Sequence, residues 1–275
     1  MTDQECVRFL QRALPRLELR WPGFRKVRGQ VHKRLNRRLE ELDLPDLAAY
    51  EMYLEAHPAE WPVLDSLCRI SISRFCRDRG VFQFLGEHVL PEIARMAADL
   101  GREVRVWSAG CASGEEPYTL AMIWQTLVQP RYPQVHLRMV ATDADEHLLD
   151  RARRAAYPAS SLREIPEGWR QVFFSPAGDE FHFRTELVPS VEFRRQDVRA
   201  GMPDGPFSLV LCRNLVFTYF SDGLQREVLE KILERMPAGG FLAVGTHERP
   251  PLRTGEAVAV RGHAGVLRVG REVDS

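Results

Sequence analysis

The sequence predicts an α/β fold with a mostly parallel sheet, preceded by a small all-helical N-terminal domain. Three observations carry this expectation. Up to about residue 85 the apolar residues recur only at helical spacing. From residue 102 short strand-like runs alternate with helical stretches, which implies a parallel sheet covered on both faces. Glycine, acid or asparagine follows the ends of several of those runs, where such sheets bind ligands.

The elements follow in order. In "RKVRGQVHKRLNRRLEEL" (25–42), Val27, Val31, Leu35, Leu39 and Leu42 lie three or four apart, which predicts an amphipathic helix. Its other face is basic, with Arg25, Lys26, Arg28, Lys33, Arg34, Arg37 and Arg38. That face reads either as a solvated surface or as a docking surface for an acidic partner drawn in by long-range attraction. Nucleic acid is disfavoured, because no aromatic series accompanies the charge. Asp46 sits as a helix cap before Leu47, Tyr50, Tyr53 and Leu54. "AEWPVLDSLCRI" reads as a further helix, and "VFQFLGEHVLPEIARMAADLG" as one closing at Gly101. Strands are expected at "EVRVWSAG", "VHLRMVATDAD", "VEFRRQDV", "FSLVLCRN", "GGFLAVGTHE" and "AGVLRVG". Helices are expected at "EPYTLAMIWQTLVQ", "EHLLDRARRAAY" and "DGLQREVLEKILERM". The organisation is a helical domain over 1–68, a linker over 69–85 and an α/β domain over 86–275.

Bulk properties narrow the class. No apolar run approaches the ~18 residues of a membrane span, so no membrane insertion is expected. The N-terminal stretch mixes acids and arginines into its apolar pattern, unlike a secretion signal. The five cysteines are odd in number and form no CxxC pair, which argues against a disulfide framework or a zinc site. The histidines are dispersed, and no metal is predicted. A cytoplasmic location is the simplest expectation.

The strand ends point to a ligand. "SAGCASGEEP" follows the first strand, Asp143 the second, Asp197 the third, and Arg213 and Asn214 the fourth. An acid after the second strand suits ribose hydroxyls. Glu115 and Glu116 beside a glycine turn suit an ammonium or another cation, and would repel phosphates. The turn offers Gly110-x-x-x-Gly114 in place of GxGxxG, and neither GxxxxGK[ST] nor GxSxG occurs. A ligand with ribose, adenine, a sulfonium and an amino-acid tail, but no phosphate, fits best: S-adenosyl-L-methionine.

At this point the motifs "SAGCASGEEPYTLAM", "ATDAD", "FSLVLCRNLVFTYF" and "GGFLAVGTHE" resemble, in order, those of the CheR-type chemotaxis receptor methyltransferases. "HKRLNRRLEELDLPDLAAYEMYL" resembles that family's N-terminal domain, and "ISISRFCRD" its T-x-F-F-R-D linker. The resemblance spans roughly residues 20–268. It implies a Rossmann-like domain that transfers a methyl from S-adenosylmethionine to a glutamate carboxylate of a protein, giving an ester. It also implies roles: Ser71, Ser73 and Arg77 closing over the methionine end, Gly110 in the cofactor-binding turn, Glu115 or Glu116 facing the amino group or its neighbourhood, and Asp143 on the ribose. Asp197 and Val198 are implied at the adenine, Asn214 and Leu215 at the centre of the cleft, and Arg77 and Tyr219 beside the transferred methyl. The implied partner is an acidic protein substrate such as a chemoreceptor cytoplasmic domain, docked by the basic helix. Other acceptors, small molecules included, and a weakly catalytic cofactor-binding module stand as alternatives.

Four departures from the family pattern are visible. The linker carries serines in place of Asn and Thr, and Cys76 replaces an aromatic. "CRNLVFTYF" is one residue longer than CRNVxIYF, which puts the place of Tyr219 in doubt. "GDEFHFRTELVPS" reads as a trimmed version of a small β insertion that receptor-binding members carry.

Overall fold

The computed structural model describes residues 2–270; Met1 and 271–275 of the ranges above lie outside the described residues. The chain divides into two compact units. One runs up to residue 71 and includes Thr218–Gln225; the other comprises Ile72–Phe217 and the residues from 226 onward.

The first unit is helical: α1 (Asp3–Ala13), α2 (Trp21–Phe24), α3 (Arg28–Glu41), α4 (Leu47–Ala56) and α5 (Glu60–Cys68). Thr2 and Glu5 form a reciprocal capping box at α1, and the Asp46 carboxylate accepts the Ala49 N–H at 2.8 Å as the cap of α4. Val31, Leu35 and Leu39 turn the apolar stripe of α3 inward, and Cys6, Phe9, Leu10, Tyr50, Leu54 and Leu64 are buried with them. Much of the basic face of α3 is occupied within the unit. Arg28 pairs with Asp3 at 2.9 Å, Arg34 donates to the carbonyls of Leu67 and Arg69, and Arg37 pairs with Glu41 at 3.0 Å. Arg38 forms a two-pronged pair with the buried Glu60 at 2.9 and 2.8 Å, and the Tyr50 hydroxyl donates to the same carboxylate at 2.8 Å.

The second unit begins with α6 (Arg79–Phe84), which a π-helical turn at Leu85–Val89 joins to α7 (Leu90–Leu100). Gly101 closes α7 in a left-handed conformation. Strands β1 (Val104–Ala109) and β2 (Leu137–Asp143) follow, with β3 (Ala156–Pro158), β4 (Phe174–Ala177), β5 (Glu180–Phe183), β6 (Val191–Arg195), β7 (Leu209–Leu211), β8 (Phe241–Ala243), β9 (Ala257–Val260) and β10 (His263–Val269) after them. The helices between them are α8 (Glu115–Ile123), α9 (Glu146–Arg154), α10 (Glu167–Phe173), α11 (Val216–Tyr219) and α12 (Asp222–Leu233).

Seven strands make one sheet in the order β6-β2-β1-β7-β8-β10-β9. The first five are parallel, and β10 runs antiparallel to both of its neighbours. Val104, Val106, Leu209, Leu211, Phe241 and Val266 contribute the sheet's side of a core completed by α7 and α8. This is the α/β architecture expected. Several elements differ from the sequence reading, the short helices α10 and α11 among them. Strand β9, with the exposed pattern of an edge, was not anticipated. The stretch read as a trimmed insertion contains β5, the middle strand of a three-stranded antiparallel sheet, β3-β5-β4, built around Phe174 and Phe183. Its strands are only three or four residues long, too short for alternation to register in the sequence.

Among the described residues, no helix is long and apolar enough to cross a membrane.

Candidate active site

Parallel strands deliver their following residues to one edge of the sheet. The order reverses between β1 and β7, so the residues after β1, β2, β6 and β7 meet at that edge.

After β1 the chain makes a tight turn in which Gly110, Ala112 and Gly114 have φ of 74°, 48° and 87°. Two of these positions require glycine for more than φ. A Cβ on Gly110 would stand 2.5 Å from the Leu215 side chain, and one on Gly114 would stand 2.9 Å from the Ala152 Cβ. Four of the turn's N–H groups are engaged. Gly110 and Cys111 donate to the Thr142 carbonyl at 2.8 and 3.0 Å, Gly114 to the Cys111 carbonyl at 3.0 Å, and Ala112 to the Asp143 carboxylate at 2.9 Å. Asp143 also accepts the Asp145 N–H at 3.0 Å. It therefore both ends β2 and holds the glycine turn.

The Gln196 N–H donates to the Asp143 carbonyl at 2.9 Å, so the end of β6 lies beside the end of β2. Asp197 follows, its carboxylate accepting the Arg199 backbone N–H at 3.0 Å and its guanidinium at 2.7 Å, and Val198 is buried next to it. Beyond β7, Asn214 is held at φ 56° by a 2.9 Å bond from its N–H to the buried Glu248 carboxylate. That carboxylate also accepts the Gly245 N–H at 2.6 Å, tying the ends of β7 and β8 together.

The two acids of α8 differ sharply. Glu115 is 1% exposed and bonded by the Ser113 hydroxyl at 3.0 Å. The Glu116 side chain keeps 15% of its surface, and its carboxylate accepts the Ser108 hydroxyl and the Arg213 guanidinium, each at 2.8 Å. The field of these acids reaches Cys111: burial first, then Asp143 and Glu116, push its thiol well above the ordinary range.

Arg77 is half-buried, and its guanidinium donates to the Ile72 carbonyl at 2.6 Å. Ser73 lies on the irregular backbone before it, and Ser71 ends the first unit; both are half-buried. Tyr219 falls in the first unit, where its ring meets Phe24 edge-on at 5.2 Å and its carbonyl accepts the Arg20 N–H at 2.8 Å. The fold thus gathers Gly110, Glu116, Asp143, Asp197, Val198, Asn214 and Leu215 around one edge of the sheet. Two residues at that edge have partners that sequence reading did not foresee. Arg213 was visible only as a strand-end residue and Glu248 only as part of "GTHE"; nothing local marks either as a partner of Glu116 or Asn214.

The donor set suits S-adenosylmethionine. A phosphate would find these turn amides engaged and carboxylates next to them, whereas ribose hydroxyls and an ammonium would find acceptors.

Comparison with known proteins agrees. The model of the CheR methyltransferase, SAM binding domain, matches residues 71–262. A chemotaxis protein methyltransferase of Listeria monocytogenes is 34% identical over 67% of this chain and 67% of its own. A probable chemotaxis protein methyltransferase of Rhizobium etli is 30% identical over 86% of this chain and 88% of its own. One from Escherichia coli is 30% identical over 80% and 76%. With these strand-end motifs gathered at one sheet edge and the family model covering residues 71–262, the chain belongs to the CheR methyltransferase family and is an S-adenosylmethionine-dependent methyltransferase.

Proposed function

We propose that this enzyme methylates a glutamate side-chain carboxylate on an acidic protein, with the cytoplasmic domain of a chemoreceptor as the substrate of choice. The observation that carries the reading is Arg77, a cation on the segment tied to the first turn of α8 through Arg213, which donates to the Arg77 carbonyl and to Glu116. The bound cofactor would supply an electrophilic methyl on its sulfonium. A glutamate carboxylate, with an ordinary pKa of about 4.3, arrives ionised and needs no base. The protein's task is then placement: bringing a carboxylate oxygen into line with the methyl.

In this reading Arg77 orients the acceptor carboxylate by paired hydrogen bonds. Asp143 takes the ribose, Asp197 and Val198 the adenine region, and Asn214 and Leu215 the middle of the cleft. Ser71, Ser73 and Gly110 border the methionine end. Of the two acids, Glu116 is the one a ligand's ammonium can reach, because Glu115 is sealed. Tyr219 is assigned a secondary part, since its ring already has a packing partner in Phe24. The exposed Lys26, Lys33 and Arg37 of the α3 region support docking of an acidic substrate.

The test is transfer of labelled methyl from S-adenosylmethionine to a purified receptor cytoplasmic domain. The product should release its label as methanol in mild alkali, as an ester does. Alkali-stable label, or label only on small molecules, would displace the glutamate reading.

A further inference from the structure

We propose that Arg213 is a positioning residue for methyl transfer, holding the backbone turn that carries Arg77 and locking it to the first turn of α8. The inference deepens the reading of Arg77 as the acceptor-orienting group and rests on it.

The turn is unusual. Cys76 and Asp78, on either side of Arg77, have φ of 54° and 59°. Neither is glycine, so each left-handed residue is strained and persists only where surroundings over-determine it. The surroundings do so from several directions. The Phe75 N–H donates to the Ser161 carbonyl at 3.2 Å, and its buried ring meets Tyr157 and Phe174 edge-on at 4.8 and 5.1 Å. The Cys76 N–H donates to the Thr119 hydroxyl of α8 at 3.1 Å. On the other side stands Arg213, whose side chain is 2% exposed. Its Nη2 donates to the Arg77 carbonyl and to the Asp78 carboxylate, both at 2.8 Å. Its Nη1 donates to Glu116 at 2.8 Å, and its plane lies over the Phe82 ring at 4.8 Å.

Arg213 Nε is buried and has no hydrogen-bond partner. The fork is therefore aimed by its three outer contacts, at some cost to full satisfaction of its donors. Those contacts span the two segments that must be in register for transfer: the turn carrying Arg77 and the first turn of α8, which carries Glu116. Lysine, with one ammonium on a flexible stem, cannot reproduce three such contacts in a plane.

Asp78 is one-third exposed, so Asp78→Asn loosens this clamp without stranding a buried charge. In the cofactor-free protein, amide exchange across 75–79 should quicken by about tenfold in Asp78→Asn. With the receptor domain as substrate, kcat should fall about tenfold, while affinity for S-adenosylhomocysteine changes by less than about threefold. In an Arg77→Ala background the same substitution should have no further effect on kcat. Arg213→Lys should show the same split more strongly; if it does not fold, the Asp78→Asn arm decides. Unchanged exchange and kcat in Asp78→Asn, full activity of Arg213→Lys, or an equal kcat loss with and without Arg77 would each overturn the proposal. Full activity of Arg77→Ala would instead remove the reading on which it rests.

Discussion

Asp143 is a carboxylate with a structural task in the fold and a proposed one at the ligand. Its oxygens hold the glycine turn through Ala112 and the start of the next segment through Asp145, and it is also the acid assigned to the ribose. Asp143→Ala should weaken S-adenosylhomocysteine binding by roughly 1–3 kcal/mol, measured by calorimetry, because a charged acceptor is lost and the turn amide is stranded. Binding at wild-type affinity would remove Asp143 from the site. Gly114→Ala tests the turn itself. With φ of 87° and the Ala152 Cβ at 2.9 Å, the variant should lose about 2 kcal/mol or more in urea unfolding. For Arg77, alanine should lower kcat far more than it lowers cofactor affinity, since orientation matters at the transfer step. Arg77→Lys separates charge from fork: full activity there would show that paired hydrogen bonding is not needed.

Among the elements, α3 changes most between sequence and structure. On a helical wheel its cations form one basic face, yet Arg28, Arg34 and Arg38 are committed to Asp3, to two carbonyls at the end of α5, and to Glu60. Neutralising Arg34 or Arg38 would therefore disturb the helical unit as well as any docking. The informative set is Lys26, Lys33 and Arg37. Replacing these three by glutamine should raise KM for the protein substrate and flatten its salt dependence, with cofactor affinity unaltered. An unchanged KM would make α3 a solvated face. Glu60 gives the unit an acid dependence. Its hydrogen bonds from Arg38 outweigh burial and, with the Tyr50 hydroxyl, hold its pKa below the ordinary glutamate value of about 4.3. A folded value below the unfolded one means stabilisation that is present above that pH and disappears as pH falls through the folded value. The Tm of the wild type should thus fall more steeply with acid than that of Glu60→Gln. Glu60→Ala should cost about 3 kcal/mol, because it leaves Arg38 and Tyr50 without their shared partner.

Across the whole molecule the five cysteines act as reporters of opening. All are buried, and burial raises every thiol: Cys6 and Cys76 to about 11, Cys68 to about 12, and Cys111 and Cys212 well above the ordinary thiol range. Little thiolate forms near neutral pH, and reagents have no path to the sulfur. Labelling of the native protein by a thiol reagent at pH 7.5 should track unfolding. One fast-reacting equivalent in the folded protein would contradict the burial of that thiol.

The α/β class, the elements with long periodic patterns and the order of the site motifs are legible in the sequence, because these depend on spacing within a dozen residues. The hydrophobic runs at β1 and β2, the glycine turn between β1 and α8, and the acid at the end of β2 are all of this local kind. Tertiary structure decided what spacing cannot encode. Glu115 and Glu116 are neighbours of identical chemistry, and only packing seals one while leaving the other reachable. The short strands β3, β4 and β5 form through partners rather than through alternation of their own. Two partners of Arg213 lie 97 and 135 residues away in the chain, and the buried partner of Arg38, Glu60, lies on a different helix. A charge seen in sequence declares only its sign. Whether it faces water, closes a turn or waits for a substrate depends on which groups the fold brings within about 3 Å of it.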